Sequence, residues 1–461
     1  MMKRRRGGRG ALPLICTLAV GLGLLLLAAA RPASEVNVIL ITVDTLRADH
    51  LGVYGYARNT SPNLDRFAKE GVSFRYAFSH APETNPSLSS LMTSYYPHET
   101  KVLRNEYVLP PGAVTMAEIL KANGYRTGAV VSNPTLSRGT GFEQGFDVYD
   151  DHVEDQDQVS GRVERIAPKT TLAAIKWLEG NYTQKFFLWV HYMDPHGPYV
   201  PPSPYNTMFV EPPAAGAERL PFSKGRSGKG VIPSYQRLGD RRDPEFYISQ
   251  YDGEIRFFDH AFGRLVQKIK ELGLLSNSLI VFTSDHGEGM GDHDYYFDHP
   301  VYLYNGLVHV PLIIRFPGQS SEAKEIRYPV AHVDVLPTVL GAVSVNPSQT
   351  FRGRNLFTQG KERTILTETH HFGRRGALIR EGLKLIQNSR DYELYDVNKD
   401  FAETENLIDD VMTATDSARV ADLKRELEVV RQQDFLALGN PIPRIMSDHT
   451  RKQLRALGYV Q

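Results

Sequence analysis

Residues 36–45 of the chain, VNVILITVDT, decide the fold class. The run is almost continuously apolar and rich in β-branched residues, which is typical of a strand buried on both faces of a parallel sheet. It ends in Asp44 and Thr45, and open α/β sheets bind their ligands at the carboxyl ends of the strands. Asp44 could cap the following turn or bind a metal ion, and this run alone favours neither role.

Two further apolar runs are also followed by polar clusters. Residues 185–190 (KFFLWV) precede HYMDPHGPY, and residues 278–283 (SLIVFT) precede the sequence SDHGE. Because Asp285 and His286 are adjacent at a strand end and a glycine turn follows, both side chains can reach one metal ion. A purely structural Asp-His pair is the alternative, but this is the strongest metal-ligand signal in the chain.

Helical patterns alternate with these strands. Helices are predicted over residues 61–70, 114–123, 170–180 and 247–272, and further strands over residues 127–132 and 310–315. The alternation predicts an α/β fold with a large, mostly parallel sheet flanked by helices. Residues 201–245 are rich in Pro, Gly, Ser and Arg and are predicted to form a long surface insertion.

The pattern changes at about residue 326. Short runs separated by turn signals predict a small antiparallel sheet packed on the main domain: residues 363–368, 377–380, 383–387 and 393–397. A charged amphipathic helix over residues 418–433 and a tail follow. The chain is therefore divided into a catalytic α/β domain, residues 36–325, and a C-terminal subdomain with a helical tail, residues 326–461.

The first 35 residues predict export. Residues 3–6 (KRRR) precede an uncharged apolar run over residues 11–30. This pattern is typical of a signal peptide or an N-terminal membrane anchor, with the catalytic domain outside the cytoplasm, in a periplasmic or extracellular location. The length of the run favours an anchor, whereas the small residues 28–30 (AAA) favour cleavage, and both alternatives stay open.

Composition excludes several classes of function. The chain has 461 residues, enough for one large domain and a smaller one. The 53 basic and 53 acidic residues balance, so nothing in the overall charge predicts a nucleic-acid partner. Cys16 is the only cysteine and lies in the N-terminal apolar run, so the folded part has no internal disulfide and no thiol nucleophile.

A second stretch, ETNPSLSSLMT at residues 83–93, predicts a helix that begins near a threonine. Pro86 suits the first helical position, and apolar residues follow at helical spacing. Thr84 then lies at the helix N-terminus, where unpaired N–H groups and the helix dipole favour an anion. An N-cap is the commoner role for such a threonine, but the clusters of acidic residues and histidines elsewhere favour a nucleophile.

Taken together and in order, these motifs resemble the sulfatase family of the alkaline phosphatase superfamily, from about residue 36 onward. Each motif is weak alone, but their order is specific. The motifs are Val43-Asp44-Thr45-Leu46-Arg47-Ala48-Asp49, Thr84-x-Pro86-Ser87, His191-Tyr192-Met193-Asp194-Pro195-His196, Ser284-Asp285-His286-Gly287-Glu288, Asp298-His299, Val310-Pro311-Leu312-Ile313-Ile314, His332-Val333-Asp334 and Glu393-Leu394-Tyr395-Asp396.

The resemblance implies one divalent cation with four ligands: Asp44, Thr84, Asp285 and His286. Mn²⁺, Zn²⁺, Mg²⁺ and Ca²⁺ all suit part of this set. Thr45 stands where many relatives carry a second Asp, and it is not counted among the four ligands. The resemblance also places His196 and His299 in the ester-binding pocket, with His299 protonating the leaving group and His196 holding the anion. Each could instead be a hydrogen-bonded loop histidine.

Three departures from the family pattern bear on the chemistry. Sulfatases carry Cys or Ser, oxidised to formylglycine, where this chain has Thr84, so no formylglycine is expected. They also carry Arg at the position of Leu88 and a Lys-Trp-His run near residues 131–133. Threonine at the nucleophile position resembles the phosphodiesterases, phosphonate hydrolases and phosphoryl transferases of the superfamily. The sequence therefore predicts an extracytoplasmic, metal-dependent hydrolase of phosphoric mono- or diesters with Thr84 as nucleophile.

Alternatives remain at this point. One is an arylsulfatase-like sulfuric ester hydrolase, and another is a phosphoryl transferase, although the transferases in question usually have several membrane spans. A different class is an inactive binding protein on this fold, against which the retained metal-ligand set argues. The expected substrate is a small ester or an ester linked to a glycan or lipid, and no nucleic-acid partner is expected. If the apolar run is an anchor, the protein has a single N-terminal membrane span.

Overall fold

The computed structural model describes residues 35–153, 164–212, 216–223, 228–319, 323–358, 363–408 and 414–459. The predicted signal peptide or anchor lies outside the described residues. Among the described helices, none combines the length and the apolar composition that a membrane span requires.

The strands have these bounds: β1 Asn37–Val43, β2 Val72–Phe74, β3 Ala77–Phe78, β4 Tyr107–Val108, β5 Arg126–Val131, β6 Val148–Asp150, β7 Phe186–Tyr192, β8 Ser278–Ser284, β9 His309–Val310, β10 Leu312–Arg315, β11 Lys324–Ile326, β12 Val330–Ala331, β13 Ile365–Thr369, β14 Arg375–Arg380, β15 Leu383–Asn388, β16 Asp391–Asp396 and β17 Ile442–Pro443. The helices have these bounds: α1 Pro62–Ala68, α2 Thr84–Thr93, α3 Pro97–Thr100, α4 Met116–Ala122, α5 Ala167–Asn181, α6 Tyr205–Met208, α7 Pro244–Glu271, α8 Asn305–Val308, α9 Val335–Ala342, α10 Ala414–Gln432 and α11 Asp448–Ala456.

Within the described part of the chain, eight strands form the main sheet in the order β11-β2-β10-β8-β1-β7-β5-β6. The strands from β8 to β6 pair in parallel, and β10 runs antiparallel to both β8 and β2. The predicted α/β fold with a mostly parallel sheet is therefore confirmed. Helices cover both faces of this sheet, which explains why β1 is apolar at almost every position.

Strand β1 lies in the middle of the core. Ile39 and Ile41 point into an apolar cluster that includes residues of α5 and α7, whereas Val38 and Leu40 point into one that includes residues of α2, α4 and α9. All four side chains are buried. Alternate side chains of one strand thus join two separate apolar layers, because successive strand residues point to opposite faces of a sheet.

The single strand predicted over residues 310–315 is wrong in one respect. The structure divides it at Pro311 into β9, which pairs with β3, and β10, which pairs with β8 and β2. Pro311 has no N–H and cannot continue a ladder of hydrogen bonds. The chain therefore passes from a small three-stranded sheet into the main sheet at this residue.

The C-terminal part contains the predicted small antiparallel sheet, formed by β13, β14, β15 and β16. Helix α10 corresponds to the predicted charged helix. The tail predicted after this helix is instead structured, since β17 pairs with β4 and α11 follows. The proposed boundary at residue 325 stays a prediction.

The predicted surface insertion is partly anchored in the core. Its short helix α6 is surface-exposed, but Leu220 and Ile232 are buried in the same apolar cluster as α7. Phe222 lies between the guanidinium groups of Arg237 and Arg242, each 4.5 Å from the ring centroid. The described residues of the insertion therefore have a defined position beside the main sheet.

Candidate active site

The carboxyl edge of the main sheet gathers the polar residues that follow neighbouring strands. Val43 at the end of β1 lies opposite Tyr192 of β7 and Ser284 of β8. The Asp44 N–H donates to the Tyr192 carbonyl (3.0 Å), and the Asp285 N–H donates to the Val43 carbonyl (3.1 Å). Asp44 and Asp285 therefore leave the sheet side by side.

Asp44, Asp285 and His286 form a buried cluster whose candidate ligand atoms all lie within 4.8 Å of one another. His286 Nε2 is 3.9 Å from Asp44 Oδ1 and 3.7 Å from Asp285 Oδ2. None of these three atoms makes a hydrogen bond to any residue that the structure describes. Buried polar atoms are nearly always paired, so three unpaired atoms facing one another indicate a binding site.

The second nitrogen of His286 defines its tautomer. Nδ1 lies 2.8 Å from the Gly287 carbonyl, and a carbonyl can only accept, so Nδ1 carries the proton. Nε2 therefore presents a lone pair towards two carboxylate oxygens, an arrangement that a cation between them would stabilise. Metal-binding histidines usually donate their other N–H to a carbonyl or carboxylate in this way. Two carboxylates and one imidazole fit a single divalent cation.

The two carboxyl groups have opposite pKa shifts. Burial acts to raise the pKa of Asp44, but the charges of His196, His286 and His191 outweigh it, and the pKa lies well below its usual value. Burial raises the pKa of Asp285 well above its usual value, and the negative charge of Asp44 adds to that effect. A bound cation would favour the ionised form of both groups.

The remaining carboxylate oxygens are held by the protein. Asp44 Oδ2 accepts hydrogen bonds from the Asn133 side-chain amide and from the Tyr459 hydroxyl, the latter at 2.9 Å. Asp285 Oδ1 accepts from the Thr45 N–H (3.1 Å) and from the N–H of the next residue along its own chain (2.7 Å). Each carboxylate thus uses one oxygen within the protein and turns the other towards the cluster.

Thr84 is the first residue of α2, and Glu83 is its N-cap residue. The helix therefore begins two residues earlier than predicted, with Pro86 in its first turn. Thr84 Oγ1 is buried and makes no hydrogen bond to any described residue, so Thr84 does not act as an N-cap. Ser87 is on the same helix face, one turn on, and its hydroxyl donates to the Asp285 carbonyl. This bond ties the Thr84 face of α2 to the cluster.

The first turn of α2 offers fewer N–H groups than the sequence predicts. The Asn85 N–H donates to the Asn105 side chain (2.9 Å), and the Ser87 N–H donates to the Glu83 carbonyl (3.0 Å). Pro86 has no N–H. The N–H groups of Asn85 and Ser87 are therefore already bonded within the protein, and anion binding at this helix terminus stays a prediction.

His299 and His196 lie beside the cluster. The His299 ring centroid is 4.5 Å from that of His286 and 5.5 Å from that of His196. Burial, reinforced by the charge of His286, lowers the pKa of His299 well below its usual value. Burial also lowers the pKa of His196 to about 4. The structure thus brings both predicted pocket histidines next to the candidate metal ligands and favours their neutral forms near pH 7.

Glu288 supports His299 from behind. Its Oε1 lies 3.3 Å from His299 Nδ1, and its Oε2 accepts a hydrogen bond from the Tyr199 hydroxyl at 2.9 Å. Burial raises the pKa of Glu288 to about 7. Glu288 belongs to the SDHGE motif, and its position two residues after His286 was a signal for a role beside the candidate ligands.

Three further residues of this site were missed. Asn133 and Tyr459 both bind Asp44, and His371 Nδ1 lies 3.7 Å from Glu83 Oε1. Asn133 follows β5, so its place at the carboxyl edge could have been inferred from the strand. Tyr459 is 415 positions from Asp44 in the sequence, and no local pattern connects the two.

Comparison with known proteins agrees with this architecture. The sulfatase family model matches residues 36–345, and the model for the C-terminal part of N-sulphoglucosamine sulphohydrolase matches residues 291–433. Among solved structures, the phosphonate monoester hydrolase of Agrobacterium radiobacter has a TM-score of 0.71 at 22% identity, covering 89% of this chain and 100% of that one. This likeness shows a shared fold.

Two relatives extend the comparison. The ulvan-active sulfatase of Formosa agariphila is 28% identical over 342 residues, or 69% of this chain and 64% of that protein. The multifunctional alkaline phosphatase superfamily protein PehA of Trinickia caryophylli is 26% identical over 438 residues, or 77% of this chain and 84% of that protein. Since the sulfatase model matches more than half of the chain, the protein is a member of the sulfatase family of ester hydrolases.

Proposed function

We propose that the protein hydrolyses phosphoric mono- or diesters, with Thr84 as the nucleophile and one divalent cation as cofactor. The observation that carries the proposal is the Thr84 hydroxyl, which is fully buried and makes no hydrogen bond to a described residue. It lies on a helix bonded to the backbone of Asp285. Threonine is not a substrate for formylglycine formation, but its hydroxyl can form a phosphate ester.

Four residues would hold the cation: Asp44, Thr84, Asp285 and His286. The unpaired oxygen and nitrogen atoms of this set support the assignment. A divalent cation bound here would lower the pKa of a coordinated hydroxyl and offset the negative charge of the phosphoryl oxygens. The imidazole suits Mn²⁺ or Zn²⁺, whereas the oxygens suit Mg²⁺ or Ca²⁺.

The remaining steps use the side chains of the pocket. Thr84 Oγ1 loses its proton to water and bonds to phosphorus, while the bond between phosphorus and the alcohol oxygen breaks. His299 gives the Nε2 proton to the departing oxygen, and Glu288, with its pKa of about 7, supplies a proton to Nδ1. Water then bonds to phosphorus and the bond between phosphorus and Thr84 Oγ1 breaks, so that a proton returns to Oγ1 and the product leaves as phosphate from a monoester or as a phosphoric monoester from a diester. His196 would hold the anion as the imidazolium, because its Nδ1 proton is donated to the Gly197 carbonyl and only protonation gives Nε2 a donor; the charge of the bound anion favours that form.

A sulfuric ester hydrolase is the second candidate. The family match and the ulvan-active sulfatase relative favour it. Two positions argue against it, because Leu88 and Asn133 are neutral where sulfatases carry cationic residues. The Leu88 side chain is fully buried in the apolar cluster beneath the sheet, so it makes no contact with an anion. A phosphoryl transferase would share the first step and pass the group to an alcohol instead of water.

The substrate class and the location are also proposals. The alcohol part of the ester is a small molecule or part of a glycan or lipid, and nucleic acid is not a partner. Balanced charge supports the second statement. The basic residues followed by an apolar run at the N-terminus support action outside the cytoplasm, in an exported or membrane-anchored protein.

The test compares hydrolysis of an aryl phosphate, an aryl phosphodiester and an aryl sulfate by the purified protein and by Thr84→Ala. Each is assayed with Mn²⁺, Zn²⁺, Mg²⁺ and Ca²⁺ and after treatment with EDTA. We expect phosphoryl turnover that requires both a cation and Thr84. Turnover of the sulfate ester alone would overturn the proposal in favour of the second candidate. Absence of both turnover and cation binding would favour an inactive binding protein.

A further inference from the structure

The segment formed by residues 439–459 crosses the catalytic α/β domain and ends at the site. Its strand β17 pairs with β4, with Ile442 opposite Val108. The Arg444 guanidinium donates to the Pro134 carbonyl at 3.3 Å and to the Ser137 hydroxyl at 2.5 Å. These contacts carry the chain along the loop that follows β5, the loop that also contains Asn133.

A glycine turn at the end of α11 directs Tyr459 inwards. Gly458 has a φ of +88°, a left-handed conformation that glycine adopts at little cost, and a Cβ atom there would lie 3.0 Å from the Tyr235 ring. The Tyr459 N–H donates to the Leu454 carbonyl at 2.8 Å and closes the turn. Leu454 packs with Tyr459 and Met193 in a small buried apolar cluster. The backbone of this segment therefore has a defined course into the pocket.

The Tyr459 side chain joins three groups of the candidate site. Its hydroxyl lies 2.9 Å from Asp44 Oδ2 and 2.6 Å from the Asn133 amide nitrogen. Its ring stacks on His196, with centroids 4.6 Å apart and an interplanar angle of 27°. The Asn133 amide donates to the phenol oxygen and the phenol donates to Asp44, so the hydroxyl of Tyr459 both accepts and donates a hydrogen bond at the site.

Some other buried tyrosines of the fold bond to the backbone instead. The Tyr149 hydroxyl donates to the Leu136 carbonyl at 2.7 Å, and the Tyr125 hydroxyl donates to the Val36 carbonyl at 3.0 Å. Such backbone bonds satisfy a phenol without organising anything else. Tyr459 instead donates to a carboxylate that belongs to the cluster. With both donors on Asp44 Oδ2, rotation of the carboxylate is restricted and Oδ1 is turned towards Asp285 and His286.

We propose that Tyr459 is a positioning residue, which together with Asn133 holds the Asp44 carboxylate in the orientation that binds the cation. The inference rests on the proposed function, because it requires that Asp44 is a ligand. Asn133 lies where the resemblance to sulfatases predicts a Lys-Trp-His run. In this chain a neutral amide and a phenol from a distant segment occupy the space beside Asp44, so they orient the carboxylate without adding positive charge.

The test is Mn²⁺ binding by isothermal titration calorimetry, without substrate, to the wild-type protein and to Tyr459→Phe. The substitution removes only the hydroxyl and keeps the ring on His196. We expect Mn²⁺ affinity to fall about 10- to 100-fold, as for other groups that orient a metal ligand. Tyr149→Phe is the matched control, since it removes an equally buried hydroxyl bonded to a backbone carbonyl, and its Mn²⁺ affinity should equal that of the wild type.

A second measurement separates positioning from direct contact with substrate. In Tyr459→Phe, the Mn²⁺ concentration for half-maximal activity should rise by the same factor, while kcat at saturating Mn²⁺ returns to near the wild-type value. Equal Mn²⁺ affinity of Tyr459→Phe and the wild type would overturn the positioning role and leave metal-dependent hydrolysis standing. A wild-type protein that binds no cation would overturn the proposed function, and this inference with it.

Discussion

The substitution Thr84→Val separates the stability of the site from its activity. Thr84 is fully buried, and its Oγ1 makes no hydrogen bond to any residue in the described ranges. Valine has nearly the same shape and lacks the hydroxyl. A buried unpaired polar group destabilises a fold by about 1–3 kcal/mol. In EDTA, the free energy of unfolding of the variant should therefore be about 1–2 kcal/mol higher than that of the wild type.

A cation should reverse this order. With Mn²⁺ at about 100 times its Kd, the wild type gains about 2.7 kcal/mol from binding, because the cation binds the folded state alone. Thr84→Val lacks one of the four proposed ligands and should gain less. Its phosphoryl turnover should fall by at least about 1,000-fold, the scale seen when a nucleophile is removed. The variant is thus expected to be the more stable protein without cation and the less stable one with it.

The assay is urea unfolding of both proteins, with EDTA and with Mn²⁺, beside hydrolysis of an aryl phosphate. Thr93→Val is the control, since Thr93 is in the same helix and equally buried, but its hydroxyl donates to the Ser89 carbonyl at 2.6 Å. That variant should lose about 1 kcal/mol and keep its activity. Retained turnover in Thr84→Val would refute the role of Thr84 as the nucleophile. A loss of stability of this variant in EDTA would refute the claim that the Thr84 hydroxyl is unpaired.

Three further predictions follow from neighbouring groups. Thr45 has a φ of +53°, and its buried hydroxyl has no partner among the described residues. Because Asp tolerates this backbone conformation better than Thr and adds a carboxylate, Thr45→Asp should bind Mn²⁺ more tightly in calorimetry. Weaker Mn²⁺ binding would contradict this. Asp285→Asn should stabilise the EDTA-treated protein to urea at pH 7, because it removes an acid whose pKa is raised well above its usual value by burial and by the charge of Asp44, while Mn²⁺ binding is lost. A destabilised variant would contradict this. His98 and Glu368 form a buried ion pair at 2.7 Å. Burial acts to lower the pKa of His98 and to raise that of Glu368, but the ion pair outweighs burial, so the pKa of His98 lies above 6.5 and that of Glu368 well below 4.5. The stabilisation from this ion pair is therefore complete between about pH 4.5 and 6.5, and it is lost as pH rises through the folded pKa of His98 or falls through that of Glu368. Urea unfolding should show His98→Gln destabilised by about 3 kcal/mol near pH 6 and by clearly less at pH 9. A difference in stability that does not depend on pH would contradict this.

Much of the fold could be predicted from local patterns. Strands β1 and β8 were found because parallel strands covered by helices on both faces are apolar at nearly every position. The metal-ligand candidates followed from the same reasoning, since Asp44, Asp285 and His286 directly follow those strands. Local pattern also located the antiparallel sheet, in which turns separate short strands. These features depend on residues close together in the sequence.

The parts that could not be predicted depend on contacts between distant residues. Nothing near Pro86 shows that the Asn85 N–H is already bonded to Asn105, which removes one of the expected anion donors. The place of Tyr459 depends on how β17 pairs with β4 and on the turn at Gly458, and such pairing has no local signature. The apolar run 310–315 was predicted as one strand because apolarity outweighed the missing N–H of Pro311.

The site is best understood from the way its polar atoms are distributed. Asp44, Asp285 and His286 each have one polar atom bonded to the protein and one that, among the described residues, is unpaired and turned towards the others. If the cluster served stability alone, all six atoms would be expected to have partners, because each unpaired buried atom weakens the fold. The bonded atoms restrict rotation, so the unpaired ones stay directed at a common point even though they repel. A cation at that point would relieve the repulsion between these atoms. Binding of the cation would therefore raise the stability of the folded chain.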